Sequence, residues 1–332
     1  MSKTDRLFPS LFLLFFLLPS HSVAVSPLQI EAFLENTAIA RSLSNGSWQG
    51  LNRLRLDTLT TVDGYEQYSL TFLGDASLFY DSDDDYIDNN LSIYRLYGSY
   101  DGERARLVAG KQRIPFGVGK IWTPVDIFNP IDSTKIETDE REGTDSIRGE
   151  YSLNDLSIID ATLSEEKGAL RLKGFLDLGD VALISQYDTE QKTAILGWEL
   201  EGDLTGTGIE LRSEGGFFYN RESNDTTVQA IVGCEYGFPN SLTLIGELYY
   251  DGQQNEQSFG LSASYQLNML TVINLLTIVN LDDESFFLAP SLQYSISDEM
   301  TLDAGIFINS GESGTGYGDS PHAIFIKWFA HF

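Results

Sequence analysis

The sequence predicts an all-β fold: a transmembrane antiparallel up-and-down β-barrel of about eighteen strands, with a long third external loop folded into the lumen. Three observations carry that expectation. From about Pro27 to the last residue the hydrophobic pattern has a period of two with almost no helical interruption. The segments run to roughly 10–13 residues, longer than the five or six usual in soluble proteins and suited to crossing a bilayer as tilted strands. The connections between them alternate between short turns and longer, more acidic loops.

At the N-terminus, Lys3 and Arg6 precede a run of mostly Leu and Phe from Leu7 to Leu18. A Pro19-Ser20 break and a small-residue Ser22-Val23-Ala24 site follow. This reads as a secretory leader over residues 1–24, with 25–332 as the barrel. A membrane-anchoring helix needs about 20 apolar residues, and the run is too short.

Charge and cysteine content exclude several classes. The formal charge is −28, and the leader carries Lys3 and Arg6 against Asp5, so the remainder carries −29. Such a chain is not built for nucleic acid. Cys234 is the single cysteine, so no intramolecular disulfide frames the fold. It falls on the apolar side of its segment and reads as a buried or lipid-facing small hydrophobe.

Alternation is clearest late in the chain. Phe286, Leu288, Pro290, Leu292, Tyr294 and Ile296 share one face, against Phe287, Ala289, Ser291, Gln293 and Ser295. Phe259, Leu261, Ala263, Tyr265 and Leu267 likewise oppose Ser258, Gly260, Ser262, Ser264 and Gln266. One apolar and one polar face per strand is what a wall between lipid and water requires. Counting this way places strands near 28–40, 50–62, 66–80, 91–100, 104–112, 145–153, 156–164, 169–178 and 181–188. The second half adds 192–202, 207–218, 227–236, 241–250, 257–267, 269–280, 285–296, 299–309 and 322–332. Sixteen result if the weakly patterned 181–188 and 269–280 merge with neighbours.

Tyrosines gather near segment ends: Tyr68, Tyr100, Tyr151, Tyr236, Tyr265 and Tyr294 at one end, Tyr80, Tyr187, Tyr219 and Tyr250 at the other. Two aromatic girdles mark two lipid–water interfaces. The last segment, AIFIKWFAHF, sets Ile324, Ile326, Trp328, Ala330 and Phe332 on one face. It resembles the terminal strand of outer-membrane barrels. The resemblance makes Trp328 and Phe332 the signal read by the barrel assembly machinery, and outer-membrane lipid and lipopolysaccharide the surroundings.

The segment from Lys111 to Asp132, KQRIPFGVGKIWTPVDIFNPID, breaks the alternation. Pro115, Pro124 and Pro130 exclude a regular strand or helix. Yet Ile114, Phe116, Val118, Ile121, Trp122, Val125, Ile127, Phe128 and Ile131 make it too apolar for a solvated loop. It falls in the third external connection, 113–144, and folded into the barrel it could bury these side chains on the inner wall and narrow the lumen, with Pro115, Phe116, Gly117, Trp122, Pro124, Phe128 and Pro130 as its packing residues. The string GKQRIPFGVGKIWTPVDIFNPID, followed by EREGTDSIRGEY, resembles porin-like families of Gram-negative bacteria, the phosphate-selective porins among them. There a G-[RK]-Q strand end leads to F-G-x-G and D-x-F-N-P-x-D. The resemblance implies a constriction loop in a diffusion porin, and porins of this size are often homotrimers; nothing in the sequence marks an interface.

Arg53, Arg55, Arg95, Arg104, Arg106, Arg148, Arg171 and Lys173 fall on inward faces of the early strands. The later strands place Glu199, Glu201, Glu210, Glu214, Glu235, Glu247 and Asp303 there, with only Arg212 and Lys327 for balance. The loop brings Arg113 and Lys120 with Asp126, Asp132, Glu137, Asp139, Glu140 and Glu142. Two readings stay open. A basic wall facing acidic loop residues would set a transverse field across a constriction. Alternatively, the arginines pair with loop and neighbouring carboxylates to hold the loop. The average charge favours cations and a basic constriction favours anions, with the constriction given slightly more weight.

No cofactor or metal is expected. Asp81, Asp83 and Asp85 follow a D-x-D-x-D spacing, but Tyr86 stands where a calcium loop needs glycine. A solvated acidic loop fits better. Enzyme chemistry lacks its parts: after the leader only His322 and His331 remain, on opposite faces of one strand because their spacing is odd, with no nucleophile beside either. The functional expectation is a passive channel for small hydrophilic solutes, leaning toward anions; the alternative is a scaffolding barrel enclosing a partner such as an electron-transfer protein.

Overall fold

The computed structural model describes residues 29–42, 48–63, 67–81, 86–135, 141–177 and 179–332. The expected leader, together with Asp83, Asp85, Glu137, Asp139 and Glu140, lies outside the described residues.

Eighteen strands are present among the described residues. The first nine are β1 (Gln29–Ser42), β2 (Trp48–Asp63), β3 (Tyr68–Asp81), β4 (Tyr86–Asp101), β5 (Ala105–Gln112), β6 (Thr144–Asn154), β7 (Ser157–Ser164), β8 (Lys167–Leu176) and β9 (Gly179–Asp188). The others are β10 (Thr193–Leu204), β11 (Ile209–Asn220), β12 (Asp225–Gly237), β13 (Leu242–Asp251), β14 (Glu256–Asn268), β15 (Thr271–Asn280), β16 (Phe286–Ser297), β17 (Met300–Ser310) and β18 (Ala323–His331). Each pairs antiparallel with its sequence neighbour, and β1 also pairs with β18, so the sheet closes without an edge. The start of β1 and the end of β18 lie at one end of the barrel because the strand number is even.

The weakly patterned segments form full strands, β9 and β15, which settles eighteen over sixteen. One boundary needs correction. β4 starts at Tyr86, not near 91, because Asp81↔Tyr86 and Tyr80↔Ile87 continue the ladder with β3. An acidic run at a water-facing rim does not stop main-chain pairing. Loop asymmetry is also narrower than expected. At the end away from the start of β1, 113–143 and 311–322 are long, and the other connections there span two to five residues against two to four at the opposite end.

The wall is inside-out relative to a soluble protein. Leu54, Leu56, Leu78, Leu163, Leu183, Leu196, Val232 and Leu248 are exposed on its outer face, while Thr37, Arg55, Asp57, Ser99, Asp160 and Glu199 are buried. The strand registers put all ten belt tyrosines on the outer face; the rings of Tyr68 and Tyr100 lie 5.1 Å apart. Cys234 is exposed, opposite Leu211 and Gly246 on that face. A bulge interrupts β4: Leu73 pairs with Arg95 and Gly74 with Ile93, leaving Tyr94 extra. Tyr94 and Arg95 therefore both turn inward, as a bulge permits, and the Arg55 guanidinium lies 5.0 Å from the Tyr94 ring centre.

Candidate functional site

Between β5 and β6 the chain leaves the sheet and lies inside the barrel along the wall from β8 to β16. Ile114, Phe116, Val125 and Phe128 pack on Ala169 of β8 and Ile184 of β9. Farther round, Ile121 meets Ile278 of β15 and Phe287 of β16, joined by Trp122, Phe307 and Tyr317. Trp122 also stacks on Tyr249 of β13 at 5.4 Å. The apolar loop residues thus bury against the inner wall, where water would otherwise face them.

An irregular segment buried in this way must satisfy its own N–H groups. Three wall glutamates do so. Glu199 of β10 accepts from the Gly117 N–H at 2.6 Å. Glu214 of β11 accepts from Val118, from Gly119 at 2.8 Å and from Val125 at 3.3 Å. Glu247 of β13 accepts from Lys120, Ile121 and Trp122 at 2.7, 2.9 and 3.2 Å. Every N–H from Gly117 to Trp122 ends on a carboxylate oxygen, an anion-binding nest of successive amides. The three side chains are 4, 0 and 1 % exposed, in that order.

The glycines of F-G-x-G follow from this grip. Gly117 has φ +87°, and a Cβ there would stand 2.6 Å from Glu214 Oε2. A Cβ on Gly119 would fall 1.8 Å from the Trp122 carbonyl oxygen. Asn129 of D-x-F-N-P braces the two loop arms: its Oδ1 accepts from Ile114 N at 2.8 Å and its Nδ2 donates to Glu142 O at 2.7 Å. Asp126 accepts from the N–H groups of Phe128 (3.2 Å) and Asn129 (2.8 Å) and pairs with Arg141 at 3.3 Å. Burial pushes the Asp126 carboxyl up to about 6, against the pull of the Asn129 N–H, the Arg141 charge and the Phe128 N–H. For Asp132 burial works the same way, but Thr134 and Lys135 outweigh it and hold the carboxyl below its ordinary range.

The expected lining residues divide into four groups. Arg53, Arg55, Arg148 and Arg171 are ion-paired to the wall rather than to loop acids. Arg53 meets Glu35 at 3.1 Å, and Arg55, 1 % exposed, meets Asp57 at 2.9 Å. Arg148 meets Glu150 and Asp160, each at 2.6 Å, while Arg171 reaches Asp160 at 3.0 Å and Glu199 at 3.5 Å. Arg171 also ties to the loop itself, donating to Pro115 O at 3.2 Å and lying 4.8 Å from the Phe116 ring centre. Arg95 and Arg113 form no ion pair among the described residues, and the Nε of each is buried without a partner. On the loop, Lys120 lies 3.9 Å from Glu201, and Asp132 pairs locally with Lys135 at 3.2 Å.

Arg106 and Lys173 stand apart. They pair with Asp101 and Asp180 at 2.9 and 2.5 Å, at the barrel end that carries the termini. Arg106 is 48 % exposed and separated from the loop by nearly the length of β5, about 20 Å. Alternation gave the right face for both but not the height along it. Among the remaining loop residues, Pro124 is half-buried and Pro130 exposed. Trp328 lies on the outer face between Asn36 and Leu302, and the Phe332 N–H donates to Ala32 O at 2.9 Å.

Neither a protein-family model nor a curated protein matches the chain. Solved structures do, at the level of fold. Pseudomonas aeruginosa OpdK with vanillate aligns over 92% of this chain and 98% of its own with a TM-score of 0.66 at 9% identity. Pseudomonas aeruginosa OccK5 (OpdH) aligns over 92% and 97%, TM-score 0.63, also at 9% identity. A BenF-like porin from Pseudomonas fluorescens aligns over 92% and 98%, TM-score 0.57, at 9% identity. The chain therefore has the barrel fold seen in Gram-negative porins.

Proposed function

We propose that the protein is a passive outer-membrane channel for small hydrophilic solutes, with a preference for anions. It would be exported by the leader and inserted through its C-terminal strand. The observation that carries this reading is the loop held against one half of the inner wall, opposite a half that bears Arg53, Arg55 and Arg95. A narrowed, water-facing passage sorts solutes by size and charge. Arg95 and Arg113 add positive charge outside any ion pair among the described residues, the Arg113 charge being felt by Asp126 on the loop. Porin neighbours, one of them solved with vanillate, support a channel for small solutes. An enclosed partner protein fits less well, because the loop already occupies lumen space.

Planar-bilayer recording of the purified protein tests this. The expected result is ohmic single-channel current and, in a KCl gradient, a reversal potential of anion sign. Absence of current would leave the scaffold reading standing.

A further inference from the structure

We infer that Glu199, Glu214 and Glu247 are specificity-determining residues, acting by being hidden: the loop masks three wall carboxylates and so keeps the lumen from favouring cations. This rests on the channel reading above. On sequence alone these glutamates make the late half of the wall acidic. In the structure their oxygens are turned to the backbone N–H groups of residues 117–125.

Among the described residues neither Glu214 nor Glu247 has a cationic partner, and Glu199 has only Arg171 at 3.5 Å. Their charge is met by amide dipoles rather than by a counter-ion. The apolar side of the loop then covers them, and a permeating ion cannot approach. The wall acids left uncovered, Glu201, Glu210 and Glu235, are met by Arg212 and Lys120. Releasing the loop would do two things together: widen the passage, and bare three carboxylates with one arginine among them.

The test uses Gly119→Val, whose side chain cannot coexist with the Trp122 carbonyl, alone and combined with Glu199→Gln, Glu214→Gln and Glu247→Gln. Release should raise conductance about twofold and lower the anion-to-cation permeability ratio about threefold or more relative to wild type. With the three glutamines added, conductance stays high and the ratio returns toward wild type. A released, wider channel with unchanged selectivity, or a shift that survives the glutamines, overturns the inference. Because the readout is a difference from wild type, a cation-selective wild type would defeat the proposed anion preference without deciding this point.

A second measurement needs no variant. Carbodiimide coupling of the folded wild-type protein with glycinamide, read by mass spectrometry, should leave Glu199, Glu214 and Glu247 unmodified while Glu201 and Glu235 react. Labelling of the three to the same extent as those two overturns the inference.

Discussion

The half of the inner wall from β8 to β16 and the half from β17 round to β7 use the same residue type differently. In the first, Glu199, Glu214 and Glu247 meet a backbone segment and receive its N–H groups. In the second, Glu35, Asp57 and Asp160 meet arginines and form ion pairs at 2.6 to 3.1 Å. A buried carboxylate must have one or the other. The loop is built into the acidic half of the wall, where Arg212 serves Glu210 and Glu235 and leaves Glu214 and Glu247 to the loop amides. The opposite half, which carries its own cations, needs no such cover.

The largest way to break the comparison is to remove the cover. Deleting Pro115 to Pro130 should raise single-channel conductance about twofold or more. Unchanged conductance would mean that the loop does not restrict the lumen.

Asn129→Ala removes the brace between the loop arms and leaves Ile114 N–H and Glu142 O without their partner. A loss of about 1–3 kcal/mol of loop docking is expected, from the cost of such orphaned groups. It should be seen as a noisier open channel with little change in overall barrel stability. A quiet channel would mean that the wall glutamates alone hold the loop.

Acidity gives a smaller, signed effect. The docked value of Asp126, about 6, lies above the ordinary 3.8, so the docked loop binds the proton more tightly than a released one. Docking therefore strengthens as pH falls from about 6 toward 3.8 and is weakest above that window. Open-channel noise should fall between pH 8 and pH 5 in wild type, and Asp126→Asn should lose that component. Noise that grows on acidification in wild type but not in the variant would reverse the assigned sign. The smallest effect belongs to Arg106→Ala. Its exposed pair with Asp101 is worth under about 0.5 kcal/mol, and reversal potential should not move.

Much of this molecule was legible in its sequence, for physical reasons. A strand between lipid and water has no freedom in its alternation, so eighteen segments could be counted and all but one boundary, the start of β4, fell within two residues. The loop was legible because prolines and apolar side chains together fit only a buried irregular segment. What could not be read was the partner of that segment. Glu199, Glu214 and Glu247 lie 82 to 127 residues from the amides they hold, and alternation reports only that they face inward. The inward turn of Tyr94 was hidden because a bulge resets the alternation within Ile93-Tyr94-Arg95-Leu96. Asn129 was visible within its motif, but its bracing role depends on the two loop arms meeting.

On the proposed reading, small solutes pass between the docked loop and the half of the wall that bears Arg53, Arg55 and Arg95, which the loop leaves uncovered. The most direct test is the reversal potential of single wild-type channels across a planar bilayer in a KCl gradient. Steady ohmic current with a potential of anion sign is expected. A cation-signed potential, or no current at all, would contradict it.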